Sequence, residues 1–274
     1  MKTGSHYMTR TFLGTLNFLS LLYFSIVRDI RQSDGNALRG LFKEIMQTMI
    51  MVGVFYFMIN VIGLRAAAVR GNFVLYLMTG IFLFMTHIKA VGKISGSGSA
   101  TNPMLKHAPV STLLLILSAA LSTLYIQILA MGLILLMAHV LIEPIAFYDF
   151  KGFVYCFFIA WASGASIGLV FLALTPFAPT LMGIITSIYQ RANMIFSGKM
   201  FLASTLPGYI VPMFIWNPLF HAIDQARGFT FINYNPRVTN LTYPMIIAVT
   251  LLIIGMMLEH WARKYVSESW SRRQ

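Results

Sequence analysis

The sequence predicts an all-α membrane protein: six transmembrane helices, an N-terminal interfacial amphipathic helix, and a re-entrant helical hairpin before the last span. Of its 274 residues, 58% are hydrophobic and 10% are charged, whereas about a quarter of the residues in a soluble domain are charged. Nearly uncharged runs of roughly 20 residues recur, which is the length that a helix needs to cross the hydrocarbon layer. Helices are expected because lipid offers no partner for free backbone amides.

The N-terminal region, residues 1–43, precedes a transmembrane domain that we place at residues 44–274. Its apolar stretch, residues 11–27, is followed by basic residues and by no small-residue cleavage site. A helix lying in the cytoplasmic interface is therefore favoured over a signal peptide or a seventh span. The basic residues that we assign to the headgroups, or to the lipid end of a substrate, are Arg28, Arg31, Arg39 and Lys43.

The six spans are predicted at residues 45–64, 71–91, 111–140, 152–173, 180–198 and 241–260. More Lys and Arg residues flank these spans on the side that holds both termini, so that side is predicted to be cytoplasmic. The net charge of +12 is attributed to basic residues beside anionic headgroups and not to a nucleic-acid partner. With a single cysteine, the chain forms no intrachain disulfide.

A Gly/Ser-rich linker follows the second span and leads into a segment bounded by Pro103 and Pro109. The composition predicts a flexible linker and then either a short surface helix that docks a cytoplasmic partner or an ordinary solvated loop. The residues of this segment that we assign to docking are Met104, Leu105, Lys106, His107 and Pro109.

Polar residues recur along one face of the fifth span at steps of three and four. We interpret this stripe, with Tyr189 and Arg191 beside it, as the lining of a polar path; the alternative is hydrogen bonding between helices, with Arg191 reaching an interface. A second, weaker stripe in the first span includes Tyr56 and Asn60, although aromatic residues in spans more often serve packing. The residues of the stripe itself are Thr186, Gln190, Asn193 and Ser197.

Small residues repeat at every fourth position in the fourth span, at Ala160, Gly164 and Gly168. Such spacing lets the backbone of a neighbouring helix come close. It therefore predicts tight helix packing at this face.

The stretch before the last span, residues 199–229, predicts the re-entrant hairpin. Asn217 suits an N-cap, Pro218 the first turn and Gly228 the C-terminal cap of a helix only about 15 Å long. Two short helices are expected to dip into the outer leaflet and cap the external end of a channel, although Asp224 and Arg227 can also form a local salt bridge. The gate residues are predicted to be Lys199, Trp216, Asn217, Pro218, His221, Asp224 and Arg227.

Motifs of common catalytic and metal sites are not recognised in the sequence. Gly198-Lys199 lacks the remaining residues of a phosphate-binding loop, the histidines lack metal-ligand spacing, and the few acids do not suggest a carboxylate pair. The sequence therefore predicts no catalytic residue, no metal site and no cofactor bound by this chain.

Three segments resemble the permease subunits of type-2 ABC exporters, particularly the branch that exports capsular polysaccharide from Gram-negative bacteria. They are SGKMFLASTLPGYIVPMFIWNPLFHAIDQAR, RDIRQSDGNALRGLFKEIMQTM and NPMLKHAPVS. Two features depart from the family: its usual Trp and Pro near the first span are not seen, and Lys199 and Met200 replace aromatic residues after Ser-Gly. These departures leave the exporter class intact but bear on the substrate.

The resemblance implies a homodimer in the bacterial inner membrane, with both termini cytoplasmic, that moves lipid-linked polysaccharide through a channel between the subunits. Cytoplasmic ABC ATPase subunits would dock on the segment around Lys106 and bind ATP and Mg, so this chain is not itself an enzyme. Periplasmic and outer-membrane export proteins are further expected partners. Alternatives are export of O-antigen, teichoic acid or small hydrophobic drugs, a membrane-embedded glycan-processing enzyme, and a non-transporting scaffold.

Overall fold

The computed structural model describes residues 3–62, 72–98 and 112–271. In these ranges the chain forms α-helices and short 3₁₀ turns, with no strand. Two 3₁₀ turns, Ala203–Thr205 and Val211–Met213, separate the sixth helix from the seventh. The helices are α1 (Thr3–Asp34), α2 (Ala37–Ile62), α3 (Phe73–Ser95), α4 (Thr112–Leu141), α5 (Phe150–Leu174), α6 (Pro179–Phe196), α7 (Pro218–Thr230) and α8 (Thr242–Ser271).

Five of the described helices are long and apolar enough to cross a membrane: α2, α3, α4, α5 and α8. They coincide with five of the six predicted spans, so the all-helical, membrane-type character of the chain is confirmed. The fifth predicted span corresponds to α6, which is not among them. Its 18 residues carry the polar stripe and Arg191, which lower its mean hydropathy. The count of six spans therefore stays a prediction.

The centre of the bundle is the packing of α3 against α5. A Cβ atom added to Gly164 would lie 2.5 Å from the His87 carbonyl oxygen, and one added to Gly168 would lie 2.9 Å from that of Val91. Only a glycine allows this approach, which confirms the close packing predicted from the small-residue spacing. Apolar side chains of both helices form the main core, including Leu83 and Phe157.

The N-terminal helix α1 packs along α4 and α2. It is longer than the predicted segment, and the Ser118 hydroxyl of α4 donates a hydrogen bond to the Asp29 carboxylate at 2.6 Å. The chain then turns at Gly35, whose φ of 73° lies in the left-handed region that glycine adopts readily. From there α2 runs through Lys43 to Ile62, and the division of the chain after residue 43 stays a prediction. The position of α1 in an interface stays a prediction.

The predicted hairpin of two short helices is not confirmed. Residues 199–216 form 3₁₀ turns around Pro207 and Pro212, and the only α-helix of this segment is α7. Gly228 does not end α7, which continues to Thr230. It is required for packing, because a Cβ atom there would lie 2.6 Å from Cδ of Pro236. The depth of this segment in a membrane stays a prediction.

Candidate functional site

The first turn of α7 is fixed by Asn217. Its side-chain oxygen accepts a hydrogen bond from the Leu219 amide at 3.1 Å, so the predicted N-cap is confirmed, and Pro218 occupies the first turn. The Asn217 amide group donates to the Asn193 side chain and to the Phe196 carbonyl, both at 2.9 Å. One capping residue thus also ties α7 to the C-terminal end of α6.

Arg227 is the most deeply buried charged side chain of α7, at 0% exposure. Its guanidinium donates to the carbonyl oxygens of Gly198 at 2.9 Å, Lys199 at 2.5 Å and Phe201 at 2.5 Å. The guanidinium carbon also lies 4.2 Å from the ring centroid of Tyr76 on α3. A planar group with several donors suits this convergent set of carbonyls. Arg227 therefore holds the chain that leaves α6.

Two glycines make this arrangement possible. A Cβ atom at Gly80 of α3 would lie 2.7 Å from the Lys199 carbonyl oxygen and 2.8 Å from the Arg227 guanidinium. Gly198 adopts a φ of 69°, and a Cβ atom there would lie 2.5 Å from the Phe220 ring. The Ser-Gly pair of the family resemblance thus coincides with a turn that other residues fit poorly.

Asp224 is 1% exposed and does not form the predicted local salt bridge with Arg227. Its carboxylate accepts hydrogen bonds from the Tyr234 hydroxyl at 2.5 Å, the Thr239 hydroxyl at 2.8 Å and the Ala203 amide at 3.2 Å. Burial, followed by the Asp224 carboxylate, raises the pKa of Tyr234 above its ordinary value. The phenol therefore stays protonated and able to donate at neutral pH.

His221 holds the other side of α7. Its Nε2 atom lies 2.7 Å from the Ile215 carbonyl oxygen, and its Nδ1 atom accepts from the Asn240 amide at 3.1 Å. The ring also lies 4.8 Å from that of Tyr243, whose hydroxyl donates to the Trp216 carbonyl at 2.7 Å. The Trp216 side chain is exposed. We name Asn193, Asn217, His221, Asp224 and Arg227 the buried polar cluster.

Lys199 lies beside this cluster with 1% exposure. Its Nζ atom is 3.4 Å from the ring centroid of Phe84 and 5.1 Å from that of Phe55. In the part of the chain that the structure describes, this nitrogen has no hydrogen-bond partner. Burial lowers the pKa of Lys199 to about 7. The amine is therefore held against aromatic faces in an environment that disfavours its charge.

The polar stripe of α6 turns largely towards the interior of the helical bundle. Gln190 donates to the Ile88 carbonyl of α3 at 3.0 Å, and Asn193 donates to the Tyr189 carbonyl at 3.1 Å. The Tyr189 hydroxyl lies 2.8 Å from Nε2 of His87, whereas Arg191 is exposed. The Gln190 and Tyr189 contacts join α6 to α3, as the alternative interpretation expects, whereas the Asn193 bond lies within α6. A path between two subunits stays a prediction.

The remaining predicted residues do not join the buried polar cluster. Thr186 and Ser197 lie on α6 and just after it; the Thr186 hydroxyl donates to the Met182 carbonyl at 2.8 Å, and the Ser197 side chain is buried. Tyr56 is exposed on α2, which also contains Asn60. The basic residues Arg28 and Arg31 lie on α1, and Arg39 and Lys43 on α2. The docking segment, residues 104–109, lies outside the described residues.

The sequence alone did not indicate several residues that the fold joins to these sites. Thr239 and Tyr234 reach Asp224 from the segment after α7, and His87 reaches Tyr189 across two helices. The one signal that could have indicated such a contact is His87, a histidine in an otherwise apolar span. In the described ranges no group of three His, Cys, Asp or Glu residues is placed to hold a metal ion.

The side chains of the buried polar cluster serve to hold the fold together more than to bind or react with a ligand. Its acid and its imidazole are hydrogen-bonded to neighbouring groups of the same chain, and its arginine is bound to backbone carbonyls. Comparison with known proteins gives no further guidance, because no protein-family model and no curated protein matches the chain. The functional reading therefore depends on the sequence resemblance and on this geometry.

Proposed function

We propose that this chain is the transmembrane permease subunit of an ABC exporter that moves lipid-linked capsular polysaccharide across the bacterial inner membrane. Two copies would surround the channel, and a separate cytoplasmic ATPase subunit would supply the energy. The proposal is supported by the family resemblance of three segments and by five helices suited to a membrane.

One observation carries the proposal: the residues of the longest resembling segment contact one another in space. Gly198 and Arg227 are 29 positions apart and joined at 2.9 Å, and Asn217 binds back to the end of α6. The segment is thus a compact unit at one end of the bundle and not a loose loop. A unit of this kind suits a gate that moves as one body.

The contacts suggest how such a unit would respond to the ATPase. α6 is bonded to α3 through Gln190 and to α7 through Asn193. A shift of α3 against its neighbours would therefore tend to carry α6 and α7 with it, because breaking these hydrogen bonds would leave polar groups unpaired at a cost in free energy. The movement caused by closure of the ATPase subunits would in this way be transmitted to the far end of the channel.

A membrane-embedded enzyme receives less support from the same residues. A general acid or base must reach a substrate proton within hydrogen-bond distance. His221 and the Asp224 carboxylate are instead buried and engaged with groups of their own chain. We therefore keep transport as the proposal.

Co-purification tests the proposal. The full chain, purified from its native membrane in mild detergent, is expected to bring an ATP-hydrolysing subunit with it, and added lipid-linked glycan is expected to raise the hydrolysis rate. Arg191→Gln should lower the glycan-stimulated rate, because Arg191 is predicted to lie along the substrate path. The variant should still fold, because Arg191 is exposed and exposed substitutions usually change stability by less than about 0.5 kcal/mol.

Arg237→Gln, in the exposed part of the segment after α7, is the matched control and should leave the stimulated rate unchanged. Purification of the folded chain without any ATPase subunit would contradict the exporter proposal. A hydrolysis rate that does not respond to glycan would contradict the substrate.

A further inference from the structure

A second polar site lies between α2, α3 and α4, apart from the buried polar cluster. It is a pocket of about 250 Å³. Lys43 and Glu44 of α2, Lys89 and Lys93 of α3, and Gln127 of α4 line it. We name this site the lysine pocket. None of these side chains contributes to the contacts of Arg227 or Asp224 described above.

The acid of the lysine pocket is already held by its neighbours. Glu44 is 8% exposed; it accepts a hydrogen bond from the Gln127 amide at 2.6 Å and lies 3.2 Å from Nζ of Lys89. Lys89 also donates to Gln47 at 2.7 Å. Three lysines therefore line the pocket with one carboxylate. The excess of positive charge gives the pocket an attractive field for anions.

The lysine pocket lies at the basic end of the bundle. Lys89 and Lys93 belong to the last two turns of α3, and Lys43 belongs to the second turn of α2. The Asp29–Ser118 hydrogen bond brings the end of α1, with its arginines, to the same part of α4. Basic residues collected beside apolar helices are attracted to anionic headgroups.

We propose that the lysine pocket binds a phosphate group carried by a lipid headgroup. Its volume of about 250 Å³ is below the ~300–1,000 Å³ of pockets that enclose whole drug-sized ligands. It fits a headgroup and not a length of glycan. Phosphate oxygens accept charge-assisted hydrogen bonds from lysine ammonium groups. The proposal stands on the pocket itself and does not require the exporter function.

Lipid binding to the full chain in detergent, measured by native mass spectrometry, tests the site. The probes are phosphatidylglycerol and diacylglycerol of the same acyl chains, which lacks the phosphate. The double variant Lys43→Gln, Lys93→Gln should bind phosphatidylglycerol at least about tenfold more weakly than the unchanged chain. Lys151→Gln is the control, because this exposed lysine lies at the start of α5, beside the last residues of α7 and not at the pocket.

The Glu44→Gln variant distinguishes an electrostatic effect on lipid binding from an effect of altered packing. Removal of the negative charge should tighten phosphatidylglycerol binding, an increase that loss of packing alone would not produce. Inorganic phosphate is the competitor: displacement of the lipid would identify a site that also takes free phosphate, and no displacement would identify the headgroup as the source.

Two results would overturn the proposal. One is equal binding of phosphatidylglycerol by the double variant and the unchanged chain. The other is binding of diacylglycerol as strong as that of phosphatidylglycerol. The thermal unfolding of each variant, measured in the same detergent, verifies that a loss of binding is not a loss of folding.

Discussion

The buried polar cluster and the lysine pocket both contain basic side chains on or beside α3, but these side chains differ in their exposure and in their partners. Arg227 has 0% exposure and donates to three carbonyl oxygens of its own chain. The Lys89 side chain is 31% exposed and shares the Glu44 carboxylate with Gln127. One site uses its cation to fix the backbone, and the other lines a pocket with three lysines and one carboxylate.

The contrast follows from the two side chains. Arginine presents a rigid fork of donors that matches several fixed acceptors at once, whereas lysine is a flexible point charge that stays easily hydrated. A buried arginine with three carbonyls is therefore expected to matter for stability. A partly exposed lysine such as Lys89 stays accessible to ligands and is expected to matter less for stability than the fully buried arginine.

The largest expected effect is that of Arg227→Ala. The change removes the charge-assisted hydrogen bonds and leaves three carbonyls around a cavity, so the free energy of unfolding should fall by about 3–4 kcal/mol. Unfolding of the purified chain in mixed detergent micelles measures it. Lys93→Gln in the lysine pocket is the comparison and should change stability less than Arg227→Ala, because Lys93 is only partly buried. Equal effects of the two variants would remove the distinction between the sites.

Gly198→Ala should have the next largest effect. The new methyl group would meet the Phe220 ring in a backbone conformation that alanine disfavours, and left-handed strain plus overpacking should destabilise the chain by about 2–3 kcal/mol. Gly208→Ala is a matched control in the same segment, because a Cβ atom there has nothing within 4 Å. Thermal unfolding of the two variants, measured under the same conditions, compares their stabilities. A Gly198→Ala variant as stable as Gly208→Ala would contradict the packing argument.

Local patterns predicted the parts of the fold that depend on local rules. Long apolar runs located α2, α3, α4, α5 and α8, because crossing lipid requires about 20 apolar residues in sequence. Gly164 and Gly168 predicted a close helix approach, and Asn217 predicted the start of α7. Each of these depends on neighbouring residues or on a fixed helical spacing, which the sequence displays directly.

The contacts of the polar residues depend on distant parts of the chain. Asp224 and Arg227 stand three positions apart and look like an ion pair, but Thr239 and three carbonyls around Lys199 provide their actual partners. Glu44 and Gln127 meet across 83 positions. The periodicity of a single helix cannot reveal such pairs. It also could not show that the polar side of α7 is buried, because the partners of that side lie outside the helix.

The smallest of the expected effects concerns Lys199 and depends on pH. The pKa of the folded chain's Lys199, about 7, lies below the ordinary 10.5 because of burial. Between these two values the unfolded chain binds more protons than the folded chain, so the free energy of unfolding rises with pH. Phe55 and Phe84, whose rings face the Lys199 amine, carry no titratable group.

Lys199→Met should remove this dependence, because methionine fills the same aromatic site without a charge. From pH 7 to pH 9 the unchanged chain should gain about 2 kcal/mol relative to the variant, and below pH 7 the difference should level off. Unfolding in detergent at a series of pH values measures it, with the exposed Lys151→Met as the control. Parallel curves for the unchanged chain and Lys199→Met would mean that the Lys199 amine stays fully charged against the rings.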